Sequence, residues 1–454
     1  MNTANKYDAL TLSNIAPEPV SLNEAFWYWF KLGFISFGGP AGQIAIMHHD
    51  LVEEKRWISE KRFLHALNYC MVLPGPEAQQ LATYIGWLMH RTWGGVIAGV
   101  LFVLPSFFIL TGLAYIYMAY GSVPAIAGVL YGIKPAVVAI VLFAAYRIGS
   151  RALKNRALWS IAALAFTAIF ALKVPFPIIV MVAGLIGYFG GRISPQYFKV
   201  GGGHGAADKD FGRALIDDET PTPAHAFFSW KKMAKVAAIG LAIWSVVLAV
   251  LIIKFGWSNA FTQMGWFFTK AALLTFGGAY AVLPYVYQGA VEHYHWLNPT
   301  QMIDGLALGE TTPGPLIIVV TFVGFVGGWV TQIFGPDAIL ASALIAASIV
   351  TFFTFLPSFI FIFMGAPFIE TTHGNLKFTA PLSAITAAVV GVILNLALFF
   401  AYHVFWPLGL TGPIDWFSVG LTTIATIAVF RFKVNVIPVI FVCGAFGMLF
   451  KLLT

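Results

Sequence analysis

Two Pro-Gly-Pro triplets inside apolar stretches constrain the fold of this chain more than any other feature. They are Pro74-Gly75-Pro76 and Pro313-Gly314-Pro315. In each triplet two positions have no amide proton and the third has no side chain, so a helix cannot continue through it. Broken backbone inside an apolar layer is tolerated where it is buried in protein or lines a wet cavity. The sequence therefore predicts two interrupted helices whose breaks are enclosed by other parts of the chain.

The composition places these breaks in a membrane protein. The chain has 454 residues, 59% of them hydrophobic and 10% charged, and its mean hydropathy is +0.82. These values exclude an ordinary soluble domain and a disordered chain. The net charge of +7 comes mostly from short loops, so it indicates membrane orientation rather than nucleic-acid binding. The two cysteines, Cys70 and Cys443, match no metal or disulfide pattern, and we expect no cofactor.

The second half of the chain repeats the first. Phe37-Gly38-Gly39 returns as Phe276-Gly277-Gly278, a shift of 239 positions (276 − 37), and the same shift relates the two Pro-Gly-Pro triplets. Further on, Leu104-Pro105-Ser106-Phe107 returns as Leu356-Pro357-Ser358-Phe359 at a shift of 252 (356 − 104). A register that holds over so many unusual residues indicates an internal duplication.

The positions of lysine and arginine decide how the first two apolar segments, 22–55 and 60–90, are threaded. If both simply crossed the bilayer, the basic cluster at 55–62 would face the side opposite the cluster at 147–156, against the positive-inside tendency. If both are re-entrant hairpins, which turn at the Phe-Gly-Gly and Pro-Gly-Pro motifs, the two clusters share one side. We therefore predict re-entrant hairpins in the cell membrane, with the N-terminus and the linker in the cytoplasm.

The predicted fold is an all-α polytopic membrane protein with two inverted repeats of broken, re-entrant helices. The second repeat is inverted because one connecting helix adds a crossing between the halves. The shorter segments 157–172 and 175–190 either cross the bilayer or form half-spans. The predicted divisions are an N-terminal tail (1–21), a first repeat (22–190), a cytoplasmic linker (191–233), a connecting transmembrane helix (234–254) and a second repeat (257–454).

The broken helices predict where a ligand binds. Transporters with inverted repeats bind substrate near the middle of the bilayer, at the open ends of half-helices. Free N–H groups and the helix dipole favour an anion at a helix N-terminus. Glycine lets backbone approach such a ligand, although glycines also serve tight helix packing. The predicted substrate-binding residues of these motifs are Phe37, Gly38, Gly39, Pro74, Gly75, Pro76 and Gln79 in the first repeat and Phe276, Gly277, Gly278, Thr312, Pro313, Gly314 and Pro315 in the second.

Two lysines join this prediction. Lys31 and Lys270 each lie six residues before a Phe-Gly-Gly motif, in equivalent places of the two repeats. Inserting a lysine at membrane depth costs roughly 2.5–3.5 kcal/mol. A pair of lysines at equivalent positions of the two repeats therefore needs an explanation. Either the two ammonium groups converge on an anionic substrate, or each one reaches the membrane interface.

Two acids lie close to the triplets. Glu77 follows Pro76, where the dipole of a half-helix stabilises a carboxylate, so a structural role and a role in ion coupling are both open. Glu310 precedes Pro313 by three residues and is the better coupling candidate, because no capping role is obvious for it. The sequence contains no nucleotide loop, metal-ligand spacing or nucleophile triad, and we predict that the protein is not an enzyme.

These motifs resemble the chromate ion transporter family, in its long, two-domain form. The resemblance rests on residues 31–40 (KLGFISFGGP), Trp57, residues 73–80 (LPGPEAQQ), the second Phe-Gly-Gly, and residues 310–315 (ETTPGP). It spans nearly the whole chain outside the tail and linker. It implies secondary active export of chromate from the cytoplasm, which confers chromate resistance, and it implies that the motif positions shape the anion path.

Sulfate is so similar to chromate in charge and shape that a sulfate transporter is one alternative. A passive oxyanion channel of the same architecture is the other. The predicted partners are chromate or a sulfate-like dianion, a coupling ion that we take to be the proton, and the lipid bilayer. The prediction leaves room for an oligomer.

Overall fold

A computed structural model of the protein describes the chain in five ranges. These are residues 17–198, 211–221, 223–276, 278–371 and 379–453. Within them the chain is helical, and the β pairing found there is one isolated bridge, between Ile58 and Ile216. Seven helices in these ranges are long and apolar enough to cross a membrane. The prediction of an all-α polytopic membrane protein is confirmed.

Polar side chains cap three helices of the first half. Ser21, Ser59 and Asn155 each accept a hydrogen bond from the backbone N–H three residues further on. This pairs one of the donors that a helix start leaves free. The helices of this half are α1 (Leu22–Ile35), α2 (Gly39–His48), α3 (Glu60–Cys70), α4 (Glu77–Tyr120), α5 (Pro124–Ala152), α6 (Arg156–Phe170) and α7 (Phe176–Ile193).

Three helices of the second half are also capped by polar side chains. Asn298 and Asp415 accept from the backbone N–H three residues further on, and Asn259 accepts from the N–H two residues further on. Asn298 also forms a capping box with Gln301. The connecting helix α8 begins four residues before the predicted position 234. The remaining helices are α8 (Trp230–Phe255), α9 (Ala260–Leu273), α10 (Ala279–Tyr287), α11 (Pro299–Thr311), α12 (Val319–Thr331), α13 (Ile339–Thr371), α14 (Thr379–Phe405), α15 (Trp416–Phe430) and α16 (Val436–Leu453).

The two halves contain the same series of elements. α1 and α9 have 14 residues each, and a six-residue π-helical turn follows both α2 and α10, at His49–Glu54 and Gln288–His293. Left-handed backbone also occurs in pairs, since φ is 51° at Arg56 and 55° at His295, 239 positions apart (295 − 56). The similarity between the halves therefore extends from motifs to backbone. The inverted orientation of the second repeat stays a prediction.

The first broken segment of each half folds back at its Phe-Gly-Gly motif. The ring centroid of Tyr28 on α1 lies 5.0 Å from that of Trp57, which follows α2 and its π-helical turn. The equivalent pair in the second half, Phe267 and Trp296, has centroids 5.8 Å apart. The helix that leaves each break thus returns along the helix that enters it, as predicted for a hairpin.

The chain also reverses at the end of the second broken segment, beyond the Pro-Gly-Pro triplet at which the hairpin was predicted to turn. In α4 the residues His90 and Arg91 have non-helical backbone angles, and the chain reverses there. A Cβ atom on Gly86 would lie only 2.5 Å from the carbonyl oxygen of Gly94, so the two arms of α4 are in close contact. In the second half α12 and α13 are the corresponding arms.

The tip between α6 and α7 lies close to the second half. The backbone N–H of Phe176 donates to the side chain of Gln288 over 3.1 Å. Gln288 begins the π-helical turn at the end of the α9–α10 hairpin. The predicted segments 157–172 and 175–190 therefore reach the end of the bundle where that hairpin begins and ends.

Part of the linker is docked on the first half. Residues 1–16 of the predicted tail and 199–210 of the predicted linker lie outside the described residues. Beyond them, Leu215 and Ile216 donate backbone hydrogen bonds to Arg56 and Trp57, and the Ser59 hydroxyl donates to Asp218 over 2.6 Å. Residues 215–218 of the predicted linker therefore cover the turn between α2 and α3.

The two first hairpins are not equally enclosed. All nine residues of α10 are buried, whereas α2 buries only Gln43 and Met47. The difference arises because α10 packs against α14, while no comparable contact joins α2 to α5. The halves therefore share a series of elements but differ in how their first hairpins are packed.

Candidate functional site

The four broken segments meet at one crossing point, where each half bonds to the other. The backbone N–H of Gly75 donates to the carbonyl oxygen of Thr275 over 2.8 Å, and that of Gly314 donates to Ser36 over 2.7 Å. Thr275 and Ser36 each precede a Phe-Gly-Gly motif. Both pairs of equivalents, Ser36 with Thr275 and Gly75 with Gly314, are 239 positions apart (275 − 36 and 314 − 75). The two hydrogen bonds are therefore equivalent under the repeat.

Two serines approach the triplet glycines from the opposite half. The Ser106 hydroxyl donates to the carbonyl oxygen of Pro313. A Cβ atom on Gly314 would lie 1.9 Å from Ser106 Oγ, and one on Gly75 would lie 2.4 Å from Ser358 Oγ. Ser106 and Ser358 are equivalents in the Leu-Pro-Ser-Phe motif. They were not predicted as site residues, although their place in a repeated motif was the signal that could have found them.

Buried polar atoms without a partner collect around the crossing. Gln43 donates to Ser36 O over 3.3 Å and to Gly314 O, and Gln80 donates to Pro74 O over 2.8 Å. Buried polar groups are normally hydrogen-bonded, yet several near the crossing have no partner among the described residues. These atoms are Ser36 Oγ, Gln43 Oε1, Gln79 Oε1, Gln80 Oε1 and Ser358 Oγ.

A small cavity lies between the halves at this crossing. The first half lines it with Pro40, Gln43, Pro76, Glu77 and Ala78, and the second half with Gly278, Ala279, Pro315, Leu316 and Ile317. The lining therefore contains parts of three of the four predicted motifs, and Pro40 directly follows the fourth.

Four helix N-termini begin at this cavity. They are the starts of α2, α4 and α10, and of the 3₁₀ turn Leu316–Ile318 that leads into α12. No side chain among the described residues caps any of them. Their first N–H groups therefore have no helical partner, and the positive ends of their dipoles converge. Such an arrangement attracts an anion.

The two predicted coupling acids lie at or beside the cavity. Glu77 lines it from the first turn of α4. Glu310, near the end of α11, accepts a hydrogen bond from the hydroxyl of Tyr280. Tyr280 is the second residue of α10 and follows the cavity residue Ala279. The structure thus places Glu77 in the cavity lining and bonds Glu310 to the residue that follows the lining residue Ala279.

The two predicted lysines lie outside the cavity lining. Lys31 is exposed on α1, on the same side as Trp27 and Phe34. Lys270 is half-buried, and its Nζ lies 5.7 Å from the ring centroid of Trp266. Convergence of the two ammonium groups on an anion stays a prediction, as does the interface alternative.

The remaining predicted residues fall into four groups. Pro74, Gly75, Pro313 and Gly314 form the crossing, and Thr312, buried beside it, donates to Leu308 O over 2.7 Å. Phe37 and Gly38 are exposed next to the cavity residue Pro40, and Phe276 is half-buried. Gly277 lies outside the described residues. Gln79 lies one turn into α4 and donates to Thr83 Oγ1 over 3.1 Å.

Two groups of charged residues elsewhere escaped the sequence analysis. Arg62 pairs with Glu370 at 3.3 Å, and Lys134 pairs with Asp304 at 3.8 Å. An acid inside an apolar segment was the available signal for Asp304. Among the described residues, one group offers ligands at metal-binding spacing: His49 and Glu54, which are exposed, and Asp50, which is half-buried. Exposed acidic groups are common without an ion.

Comparison with known proteins places the chain in a family. A family model described as chromate transporter matches residues 23–188 and 262–448. The chain is 34% identical over 442 residues to the chromate transport protein of Pseudomonas aeruginosa, which covers 95% of this chain and 93% of that protein. It is 31% identical over 398 residues to the chromate transport protein of Cupriavidus metallidurans, with 87% and 86% covered. No solved structure matches the chain.

Proposed function

The chain belongs to the chromate transporter family, and we propose that it is a secondary active transporter that exports chromate across the cell membrane and so confers chromate resistance. Sulfate, a tetrahedral dianion of nearly the same shape, is the competing substrate. The similarity to two chromate transport proteins supports transport of chromate. The observation that carries the proposal is the set of four uncapped helix N-termini around one cavity.

In this proposal the anion binds in the cavity, held mainly by backbone. N–H groups at the starts of α2, α4, α10 and the 3₁₀ turn at Leu316 donate to its oxygens, which suits a ligand with acceptors on all sides. The hydroxyls of Ser36 and Ser358 are free to donate as well, because neither has a partner among the described residues. Lys31 and Lys270 add long-range positive charge rather than direct contact.

In this proposal the carboxyl group of Glu77 couples anion binding to proton binding. Its carboxylate and a bound dianion are drawn to the same helix termini, and like charges in one cavity repel each other. The anion therefore binds more readily when Glu77 is protonated. Glu310, which carries the same chemistry on the other half, is the second coupling residue. The inside-negative membrane potential drives a dianion outwards, by about 2.3 kcal/mol per charge per 100 mV.

Transport into proteoliposomes tests the proposal. Purified protein is reconstituted, and uptake of labelled chromate is followed while the membrane potential and the pH gradient are imposed separately. We expect accumulation of chromate above equilibrium with its own electrochemical gradient, dependence on the pH gradient, and competition by sulfate. Flux that only ever equilibrates chromate would identify a passive channel, and flux of sulfate with no flux of chromate would identify a sulfate transporter.

A further inference from the structure

Asp304 is a buried acid that links the two halves away from the anion cavity. It lies in α11, and its exposed fraction is 2%. The Tyr117 hydroxyl, from the second arm of α4, donates to Asp304 Oδ2 over 3.0 Å. The ammonium of Lys134, from α5, lies 3.8 Å from the same oxygen. Both partners therefore belong to the first half and the acid to the second.

The contact between Asp304 and Lys134 has poor geometry for an ion pair that only stabilises the fold. Asp304 Oδ1 is buried and has no donor among the described residues. A buried ion pair compensates for its lost hydration when the contact is short and the remaining lone pairs are bonded. Here the ammonium is 3.8 Å away and one oxygen is unpaired. The charged state of Asp304 is therefore held only weakly.

The other elements packed against α11 bring no further charge to Asp304. α12 has no titratable residue. In α14, His403 Nδ1 is 3.0 Å from the carbonyl oxygen of Phe399, and in α16 the ammonium of Lys451 lies over the ring of Tyr131, 5.4 Å from its centroid. Lys134 and Tyr117 are thus the charged and titratable groups that face this acid.

The equivalent joint in the first half also contains a titratable residue. Asp304 corresponds to His65 at the shift of 239, and Tyr117 corresponds to Ile369 at the shift of 252. His65 Nε2 lies 3.1 Å from the carbonyl oxygen of Ile369. In both halves, therefore, the helix before the Pro-Gly-Pro break contacts the long arm of the other half through a polar side chain, Asp304 or His65.

We propose that Asp304 binds and releases a proton during transport, with Lys134 as its counter-charge. The inference rests on the proposed transport function. When Asp304 is ionised, its charge holds α11 to α5, and protonation releases that contact. Because α11 ends at the Pro-Gly-Pro break, the released helix changes the position of Gly314, which is bonded to Ser36. Proton binding at Asp304 and anion binding at the crossing are thereby linked through one helix.

Two measurements on the variant Asp304→Asn separate anion binding from proton binding. They are chromate exchange and chromate uptake driven by a pH gradient. Exchange of labelled for unlabelled chromate needs no proton gradient, and we expect Asp304→Asn to exchange within about twofold of wild type. Stimulation of uptake by an imposed pH gradient is expected to be lost. Asp337→Asn, which changes an exposed acid on the loop before α13, is the matched control and keeps that stimulation. Wild-type stimulation in Asp304→Asn overturns the inference.

A second variant covers the case in which Asp304→Asn does not fold. Lys134→Gln keeps the acid and removes its counter-charge, so a proton no longer competes with the ammonium for the carboxylate. We expect the pH of half-maximal uptake to move to higher values, and an unchanged midpoint contradicts the proposal. Wild-type protein that fails to exchange chromate would instead refute the transport function itself.

Discussion

Gly75 and Gly314 make the two hydrogen bonds that join the halves at the crossing. Their φ angles are 127° and 95°, in a region of backbone conformation that residues other than glycine rarely adopt. A Cβ atom would also meet Ser358 and Ser106, at 2.4 and 1.9 Å. Backbone conformation and lack of space thus require glycine independently at both positions.

We predict that Gly75→Ala and Gly314→Ala each reduce the initial rate of chromate uptake at least tenfold. The strained backbone costs of order 1–3 kcal/mol, and the displaced serine opens the crossing. Gly112→Ala is the control, because a Cβ atom there meets nothing within 4 Å, and it should transport at the wild-type rate. Rates are compared per amount of monodisperse protein, and wild-type uptake by either crossing variant would show that the crossing tolerates a side chain.

At this scale the sequence identified the glycines but not their surroundings. A Pro-Gly-Pro triplet predicts a helix break from its composition alone. The shift of 239 positions showed that the two breaks are equivalent. The approach of Ser106 to Gly314 depends on packing between residues 208 positions apart (314 − 106), which no local pattern reports. Lys31 shows the converse, since its equivalence to Lys270 was visible while its exposure was not.

Among the helices, α3 is tied to α13 through a buried ion pair. Arg62 contacts Glu370 at 3.3 Å, with side-chain exposed fractions of 15% and 7%. Glu370 also accepts from the Tyr84 hydroxyl, and Arg62 donates to the carbonyl oxygen of Thr220 in the docked linker over 2.6 Å. One arginine thus connects a hairpin helix, a long helix of the other half and the linker.

We predict that Arg62→Met destabilises the protein by about 3 kcal/mol, since removing one partner leaves a buried charge uncompensated. The double variant Arg62→Met/Glu370→Met should recover most of the loss, and Arg151→Met, at an exposed position, should change little. Thermal unfolding in detergent gives the comparison. A double variant less stable than Arg62→Met would mean that the pair is not the source of the effect.

The elements themselves were largely predictable. Hydropathy and the breaks define the apolar segments, and the basic residues at 55–62 predicted that the first two are hairpins. The contact of Tyr28 with Trp57 agrees with this prediction for the first segment. Docking of residues 215–218 was missed, because a polar, glycine-rich stretch has the composition of a free linker. Its pairing with Trp57 is decided by tertiary contacts.

For the whole molecule, the central observation is the unequal packing of two similar halves. α10 is fully buried and packs against α14, while α2 is mostly half-buried. Transporters built from inverted repeats change access by letting the repeats exchange conformations. On this reasoning the contact between α10 and α14 opens when the anion site becomes accessible from the other side of the membrane. The sequence could not reveal this unequal packing, because both repeats have the same motifs.

Cross-linking tests this movement. The rings of Tyr287 and Phe399 have centroids 4.5 Å apart across the α10–α14 contact. With Cys70 and Cys443 replaced by alanine, the pair Tyr287→Cys/Phe399→Cys should cross-link in the resting protein and lose transport until reduced. The pair Phe417→Cys/Phe450→Cys, whose rings are 4.2 Å apart within one half, should cross-link and keep transport. Full activity of the first cross-linked pair would contradict the proposed opening.

The most direct test of the central claim is an anomalous difference map, recorded at the chromium edge, for the protein saturated with chromate. The account predicts one chromium peak in the cavity between the starts of α2, α4, α10 and the turn at Leu316, with chromate oxygens about 3 Å from backbone nitrogens. A peak beside Lys31 or Lys270, or an empty cavity under conditions that support transport, would contradict it.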